Sequence, residues 1–508
     1  MVREKSRAGW LMTAAIALLL ALGIPLPAWA SYGIYVGRNL TEDGSILLGG
    51  TGDEVSSHWL EIVPRAQHEE GATIRVGVDG AAAIPGEFIE IPQARRTLKY
   101  LTMNYSDYMG FPPPLTNGGL NERHVAARDI WSPSRKELVE RTPTPQRGLN
   151  YSDLSRIVME RAGSAREAVE IVGKLIDTYG YATYGGNSHI FADANEGWIL
   201  IDFAGGQGLW IAERLGPDDV RMSYPGYILE IPIDFKSHPD YMGSDHFISY
   251  AIEQGWYDPK SGEPFDVNRI YGDGEGRSDE VRIIEERLRW KAPKVTVRDM
   301  LDAVRDPLIS GDTNGYGQVA HLRSDVHRDL GMLWIAATGS ITAPFIPYWI
   351  GVESALPEFG KHRYLTKGEA TRFVTTDWQT REASRFAYRT FKRLMYYTCD
   401  HPEKFLPEVT EALTAFEDQS LVDRERIEAT ARALYAAGKD NLARSALTDY
   451  THRRAMEGLR LGEALLASIE ARSRLLYGVR EPEGETMSTL DWDQRINCRE
   501  RAGDAGSS

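Results

Sequence analysis

Apolar and polar residues alternate with a period of two in several short segments after residue 30, and this pattern predicts β-strands. The first strand begins at Tyr32, and after a glycine-containing turn at residues 41–44 a second apolar run covers residues 45–48. Two runs joined in this way predict a β-hairpin. Further strands are predicted at residues 189–193, 197–201, 209–212, 318–323 and 332–336.

Other segments show the spacing of apolar residues that is typical of amphipathic helices. Residues 152–180 predict a helix, with Ser164 and Glu167 forming a capping box ahead of an apolar stripe. Thr296 begins another capped helix, and residues 384–476, which are rich in Ala, Leu, Arg and Glu, predict several more. Antiparallel hairpins followed by segregated helices indicate the α+β fold class.

The pattern divides the chain into three parts. Residues 1–30 are predicted to be a leader, residues 31–383 a strand-rich core, and residues 384–508 a C-terminal helical region with a frayed tail. Within the core, residues 234–295 contain many Gly, Asp and Pro residues, and they predict an insertion of loops and short helices.

The leader has the organisation of a secretory signal peptide. Its basic start is followed by an apolar run of 14 residues at positions 11–24, which is shorter than the roughly 20 residues that span a membrane. The small residues Ala28 and Ala30 then match a signal-peptidase site. We expect an exported protein, periplasmic or extracellular, with no stable membrane anchor after cleavage; an uncleaved N-terminal anchor is the alternative.

The composition limits which classes of molecule we expect the protein to bind. The chain has 508 residues, of which 58 are Lys or Arg and 73 are Asp or Glu, so its formal net charge is −15. This acidic balance argues against a nucleic-acid partner, which requires clustered basic residues. The two cysteines, Cys399 and Cys498, are compatible with one disulfide in an oxidising compartment or with two free thiols.

Familiar catalytic and metal-binding motifs are absent from the sequence. It contains no G-x-S-x-G motif of an α/β-hydrolase and no H-E-x-x-H motif of a zinc protease. The 11 histidines show no ligand-like pairing. We therefore expect neither a metal ion nor an organic cofactor.

Cleavage after Ala30 would make Ser31 the first residue of the mature chain, at the start of a strand. An N-terminal serine carries a nucleophile and a base on one residue, because its α-amine, with a pKa of about 7.7–8.0, is partly neutral near pH 7. That amine can take the hydroxyl proton as the oxygen attacks a carbonyl group. The alternative is an ordinary signal-peptidase product that happens to begin with serine.

Several short motifs after this position resemble, in their order and spacing, the C69 dipeptidase family. They lie at residues 31–38, 43–45, 52–54, 119–122, 125–126, 159–162, 165–169, 192–198, 333–334 and 344–347. The resemblance covers roughly residues 31–380 and implies a relationship to the N-terminal-nucleophile hydrolases, near penicillin V acylases and bile salt hydrolases. It also implies a four-layer αββα core and hydrolysis of amide bonds, typically in dipeptides with a free amino end.

The resemblance also implies roles for individual residues. Ser31 stands where the family usually has cysteine, and Asp53 matches an aspartate that would hold the amine of the nucleophile or of the substrate. Gly50 falls where the wider superfamily often has arginine, which puts an arginine contact at this position in doubt.

Three further residues lie near these motifs, and two of them have two possible roles each. Tyr224 lies near the place where relatives have an oxyanion-hole asparagine. Tyr224 and Asn121 are therefore candidates for the oxyanion hole or the pocket, with packing and turn formation as their alternative roles. His58 is expected to be structural.

Together these features predict an exported dipeptidase that forms an acyl-enzyme on Ser31 and acts on a small peptide. An acylase that cleaves N-acyl amides is one alternative, because it would use the same nucleophile with an apolar pocket. A non-catalytic extracytoplasmic binding protein is another, suggested by serine in place of cysteine. Self-association into a homo-oligomer through the C-terminal helices also stays open.

Overall fold

The computed structural model describes residues 31–54, 58–106, 108–223, 228–362 and 384–479, and Cys498. The predicted leader, residues 1–30, lies outside the described residues, as does Tyr224. Within the described ranges, the structure combines antiparallel sheets with a larger share of helix, which confirms the α+β class.

The strands form two large antiparallel sheets and three small ribbons. In chain order they are β1 (Gly33–Val36), β2 (Ile46–Gly52), β3 (His58–Val63), β4 (Ala66–Gln67), β5 (Thr73–Val76), β6 (Ile89–Pro92), β7 (Arg96–Thr97), β8 (Tyr100–Tyr105), β9 (Leu115–Asn121), β10 (Ala126–Ile130), β11 (Asn187–Ala192), β12 (Gly197–Asp202), β13 (Trp210–Leu215), β14 (Val220–Ser223), β15 (Glu230–Ile231), β16 (Tyr241–Gly243), β17 (Phe265–Asp266), β18 (Tyr316–Leu322), β19 (Met332–Ala337) and β20 (Phe345–Trp349).

The α-helices lie between and after these strands. They are α1 (Lys136–Glu140), α2 (Tyr151–Arg161), α3 (Ala165–Tyr179), α4 (Phe247–Glu253), α5 (Val267–Tyr271), α6 (Asp279–Lys291), α7 (Val297–Arg305), α8 (Ala387–Asp400), α9 (Pro402–Ala436) and α10 (Asp440–Tyr477). Short 3-10 helices lie at Arg38–Leu40, Phe235–Ser237, Arg328–Leu330 and Pro357–Phe359.

One sheet has six strands in the order β14-β1-β2-β18-β19-β20. The predicted hairpin of β1 and β2 is present, and its register places Gly33 opposite Gly50. On its other edge β2 pairs with β18, with Gly52 opposite Tyr316. The hairpin therefore lies inside the sheet, and the chain leaves β2 close to the position where β1 begins.

The second sheet has eight strands in the order β16-β13-β12-β11-β10-β9-β8-β3. It contains the second predicted hairpin system, formed by β11, β12 and β13. The predicted insertion at residues 234–295 contains the short helices α4 to α6, but its strand β16 adds an edge to this sheet by pairing with β13. Part of that segment therefore belongs to the sheet.

The two sheets contact each other through β1, β2 and β19 on one side and β9 and β10 on the other. The approach is close at Gly33, where an added Cβ atom would lie 2.7 Å from the Ile190 side chain. Helices α2 and α3 pack on the eight-stranded sheet. Helices α6 to α10 pack on strands of the six-stranded sheet.

Local sequence signals explain where several helices begin. The predicted helix over residues 152–180 is divided into α2 and α3, because Ser164 caps a new helix by accepting a hydrogen bond from the Glu167 N–H at 3.1 Å. The Glu167 carboxylate accepts a hydrogen bond from the Gly163 N–H at 2.8 Å and not from the Ser164 N–H, so the capping box is not reciprocal. Thr296 and Asp299 form the predicted reciprocal box at the start of α7.

The C-terminal region forms the predicted run of helices, α8 to α10. A disulfide joins Cys399, near the end of α8, to Cys498, 99 residues further along the chain. The sequence left open either one disulfide or two free thiols, and the structure contains the disulfide. Among the described residues, no helix combines the length and the apolar character needed to cross a membrane.

Candidate active site

Ser31 lies directly before β1, and the β1–β2 register brings the residues that follow β2 against it. The backbone N–H of Asp53 donates to Ser31 Oγ at 3.1 Å. The Ser31 hydroxyl in turn donates to Glu54 Oε1 at 3.2 Å. Ser31 is only 5% exposed, so these contacts hold its oxygen in an enclosed position. The structure thus brings together Ser31, the expected nucleophile, and Asp53, the expected amine-binding residue.

Gly50 allows the backbone to pass close to Tyr32. Its φ of 155° lies in a region that side chains rarely adopt. An added Cβ atom at Gly50 would lie 1.9 Å from the Tyr32 carbonyl oxygen. No side chain fits at this position, so an arginine contact from residue 50 is excluded.

An arginine from another strand reaches the same segment. Arg128 of β10 is fully buried between the sheets, where its guanidinium donates to the Thr51 carbonyl and, at 2.5 Å, to the Tyr316 hydroxyl. Its charge acts on Glu54. A positive charge is therefore present beside the end of β2, although it comes from a residue that the sequence did not single out.

Glu54 is the centre of a buried polar cluster that sequence reasoning missed. Its Oε1 atom accepts from Asn117 Nδ2 at 2.6 Å, and its Oε2 atom lies 3.4 Å from His58 Nε2. Burial alone would raise the pKa of Glu54, but the hydrogen bonds from His58 and Asn117 and the charge of Arg128 hold this pKa below its ordinary value. The carboxylate therefore stays ionised at neutral pH.

Asn117 approaches Ser31 from the other sheet. Its Nδ2 atom lies 3.5 Å from Ser31 Oγ as well as contacting Glu54. Asn117 precedes Gly118 and Gly119, whose φ angles of 109° and 146° let β9 depart from regular strand geometry. The Asn-Gly-Gly sequence was the one signal that pointed to an unusual backbone here.

Asn121 has a different environment from the one predicted. Its side-chain amide donates to the carbonyl oxygens of Met159 and Ala162, at 3.3 and 2.8 Å. Its Oδ1 atom accepts from two backbone N–H groups in the turn after β9. Asn121 also lies four residues from Asn117, or about 13 Å along a strand. The structure therefore gives Asn121 the turn-forming role and uses both amide hydrogens there.

His58 is packed among aromatic rings. It stacks on Tyr105 with ring centroids 5.2 Å apart, and it lies tilted against Tyr316 at 5.7 Å. An added Cβ atom at Gly315 would lie 2.0 Å from the imidazole. This packing agrees with the expected structural role, and the contact with Glu54 shows that His58 also orients that carboxylate.

The Asp53 carboxylate is linked through Asn314 to a second charged group, Lys392. Its Oδ1 atom accepts a hydrogen bond from Asn314 Nδ2. Lys392 of α8 donates to the carbonyl oxygens of Asp312 and, at 3.4 Å, Asn314. Burial lowers the pKa of Lys392 to about 8, while the charges of Asp312 and Asp53 act in the opposite direction. The C-terminal helices thus carry a cation to the site, which the sequence did not predict.

The site consists of hydroxyl, carboxylate, amide and ammonium groups. Within the ranges that the structure describes, no cluster of three or more His, Cys, Asp or Glu side chains is arranged to hold a metal ion. The chemistry that this arrangement can support is nucleophilic attack by a serine oxygen that is surrounded by hydrogen-bond donors and one ionised carboxylate.

Comparisons with known proteins agree on one family. A sequence profile of peptidase family C69 matches residues 32–290. The chain is 20% identical over 471 residues to the probable dipeptidase B of Streptococcus pyogenes serotype M3, covering 81% of this chain and 87% of that protein. It is 24% identical over 241 residues to a probable dipeptidase of Salmonella dublin, covering 47% of this chain and 52% of that protein.

Proposed function

The chain belongs to peptidase family C69 and is a peptide-bond hydrolase, and from this premise we propose that it is an exported dipeptidase whose nucleophile is Ser31. The observation that carries the proposal is the position of Ser31 Oγ between the Asp53 N–H and the Glu54 carboxylate. The serine takes the place of the cysteine that the family resemblance leads one to expect.

The reaction proceeds through an acyl-enzyme. Ser31 Oγ attacks the scissile carbonyl carbon, and the α-amine that leader removal exposes takes the hydroxyl proton. The amine then gives this proton to the leaving amino group as the C–N bond breaks. Water, activated by the same amine, hydrolyses the ester on Ser31 and restores the enzyme.

Glu54 orients the nucleophile in this scheme. Its carboxylate accepts the hydrogen bond of the Ser31 hydroxyl, and its lowered pKa makes it a weak base. A weak base holds the hydroxyl in the resting enzyme without removing its proton, so the proton is transferred only when the hydroxyl turns from Glu54 to the α-amine. This supports the α-amine as the group that carries the proton.

Two N–H donors support an oxyanion hole. The Asp53 backbone N–H and Asn117 Nδ2 lie 3.1 and 3.5 Å from Ser31 Oγ. In the tetrahedral intermediate the oxyanion is bonded to the same carbon as Oγ, so donors this close to Oγ are near enough to turn to it, and an oxyanion-hole donor typically contributes 10²–10³-fold to kcat. We assign this role to Asn117 in place of Asn121.

The Asp53 carboxylate binds the free amino group of the substrate. Asp53 is almost fully buried next to Ser31, so its charge acts in a medium of low polarity. A dipeptide has a protonated amine that such a carboxylate binds, whereas an N-acylated amino acid has none. This favours a dipeptide over an N-acyl amide.

The layering of helices and sheets supports the N-terminal-nucleophile fold. Two facing antiparallel sheets carry α2 and α3 on one outer side and α6 to α10 on the other. These contacts support the αββα order that the resemblance implied. We propose the division into a core at residues 31–383 and a helical region at residues 384–508 on the same basis.

Export is supported by the leader and by the disulfide. Residues 1–30 have the three regions of a signal peptide. The Cys399–Cys498 bond fits an oxidising compartment, such as the periplasm or the outside of the cell.

An acylase remains a second candidate because of one observation. Tyr105, Tyr108, Phe111, Tyr151 and Tyr184 form an aromatic cluster next to the site, and burial together with the charges of Glu54 and Asp53 raises the pKa of Tyr108. An aromatic wall of this kind suits an apolar acyl group. The third alternative, a non-catalytic binding protein, is set aside because the chain belongs to a family of peptidases.

The test combines N-terminal mass spectrometry with kinetics of the mature protein. We expect the mature chain to begin at Ser31, to cleave dipeptides faster than N-acyl amino acids, and to lose at least about 10³-fold in kcat on Ser31→Ala. Ser31→Cys should retain activity, because a thiol performs the same attack. A different mature N-terminus, or full activity of Ser31→Ala, would contradict the mechanism.

A further inference from the structure

The cation at the site comes from the C-terminal helices. Lys392 lies on α8, beyond residue 290, where the match to the family profile ends. Its side chain is partly exposed, and its Nζ atom donates to the carbonyl oxygens of Asp312 and Asn314. These two bonds account for two of the three ammonium hydrogens, which leaves one for another acceptor.

Asn314 joins Lys392 to Asp53. Its side-chain amide donates to the Asp53 carboxylate, and its backbone carbonyl accepts from Lys392. An anionic and a cationic group therefore lie on either side of one residue. The loop that carries Asn314 is tied to the end of β2, because the Gly315 N–H donates to the Gly52 carbonyl oxygen at 2.7 Å.

A dipeptide has the complementary charge pattern. It carries an ammonium group at one end and a carboxylate at the other, and two extended residues separate these groups by about 7 Å. A peptide amide or a longer peptide presents no carboxylate at that distance. Opposite charges on either side of Asn314 therefore favour a short zwitterion.

We propose that Lys392 binds the free carboxylate of the substrate, so that the dipeptide lies with its amine at Asp53 and its carboxylate at Lys392. This inference rests on the proposed function and deepens it, since it names the determinant of chain length. In this role Lys392 is a specificity-determining residue that contacts the substrate away from the scissile bond.

The experiment compares two substrates on matched variants. Alanylalanine and its C-terminal amide differ in the charge that Lys392 would bind. We expect wild-type kcat/KM to favour the dipeptide by about 10- to 100-fold, which is the effect of a hydrogen bond between charged groups. Lys392→Gln should abolish this preference by raising KM for the dipeptide, with little change for the amide.

Two control variants separate substrate recognition from a structural role. Lys392→Arg keeps the charge and should keep the preference for the dipeptide. Lys404→Gln removes an exposed lysine of the neighbouring α9 and should leave kcat/KM unchanged for both substrates. An equal loss of kcat/KM for both substrates in Lys392→Gln would mean that Lys392 has a structural role, and it would overturn the inference.

The wild-type comparison tests the inference even if Lys392→Gln fails to fold. Hydrolysis of the dipeptide without preference over its amide would overturn carboxylate binding while leaving the dipeptidase intact. Hydrolysis of neither compound by the wild type, with cleavage of N-acyl alanine instead, would overturn the proposed function together with this inference.

Discussion

The hydroxyl group of Ser31 donates its hydrogen bond to the carboxylate of Glu54, and the two oxygen atoms are 3.2 Å apart. The same carboxylate is held by Asn117 and His58. A serine that precedes its strand would otherwise have several rotamers available. This fixed acceptor selects one of them and directs the oxygen toward its donors.

Replacing Glu54 by glutamine tests that relationship. Glu54→Gln keeps the size of the side chain but removes the charge that accepts the hydroxyl hydrogen. We expect kcat for a dipeptide to fall about 10²-fold with KM changed little, because the contact acts on the nucleophile and not on the substrate. Steady-state kinetics of the mature protein measures both constants.

The matched control is Glu61→Gln. Glu61 is an exposed carboxylate that also accepts a hydrogen bond from an asparagine, Asn104, on β8. It should leave kcat unchanged. An undiminished kcat in Glu54→Gln would contradict an orienting role for Glu54.

Gly50→Ala tests the close approach of β2 to Tyr32. The new Cβ atom would lie 1.9 Å from the Tyr32 carbonyl oxygen, so the segment that carries Ser31 must move. We expect loss of activity and a loss of stability of roughly 3 kcal/mol or more. Thermal unfolding and the dipeptide assay on the same sample measure both effects.

Gly44→Ala is its control. Gly44 also has a positive φ, 72°, but an added Cβ atom there meets nothing within 4 Å. It should cost about 1 kcal/mol of backbone strain and leave activity intact. Equal effects of the two variants would show that strain, and not the clash, decides the outcome.

The sequence predicted the part of the site that local pattern determines. The β1–β2 hairpin is encoded by two apolar runs and a turn, and its register alone brings Asp53 to Ser31. The apolar spacing predicted one continuous helix over residues 152–180. The structure instead divides it into α2 and α3, because Ser164 caps the start of α3.

Apart from Glu54, which directly follows Asp53, the groups that were missed come from distant segments. Asn117, Arg128, Asn314 and Lys392 reach the site from β9, β10, the loop before β18 and α8. Pairing between remote strands and the docking of a helix depend on packing across the whole core, which periodicity does not encode. For this reason Asn121, and not Asn117, was chosen from the same strand.

A buried ion pair attaches the C-terminal helices to the core. Glu417 of α9 is fully buried and accepts from Arg298 at 2.7 Å, from Arg305 at 3.0 Å and from the Phe345 N–H at 2.8 Å. Glu417→Ala should destabilise the protein by about 3–5 kcal/mol, because the buried guanidinium of Arg305 then has only the more distant carboxylate of Asp302, at 4.0 Å, to offset its charge. A lower urea midpoint would measure this.

The adjacent residue provides the control. Asp418 also pairs with Arg298, but its side chain is 57% exposed. Asp418→Ala should cost less than about 1 kcal/mol, since water screens the pair. Similar midpoints for the two variants would mean that Glu417 does not hold the helices.

The disulfide should contribute strongly to stability. Closing a loop of 99 residues between Cys399 and Cys498 lowers the entropy of the unfolded chain, an effect of about 2–5 kcal/mol. We expect Cys498→Ser, or reduction of the wild type, to lower the melting temperature. Reduction should not alter Cys498→Ser further, and a further decrease would show that the reductant acts elsewhere.

The pH dependence of KM should report the charge on Lys392. Its pKa is lowered to about 8, with Asp53 and Asp312 as the facing carboxylates, so the side chain loses its charge as pH rises through 8. The substrate amine that Asp53 would bind also loses its proton near pH 8, in the dipeptide and in its amide alike. We therefore expect KM for alanylalanine to rise more steeply above this pH than KM for its amide, and Lys392→Arg, whose guanidinium stays charged, should reduce the dipeptide rise to that of the amide. A dipeptide rise as steep in Lys392→Arg as in the wild type would assign the additional titration to a group other than Lys392.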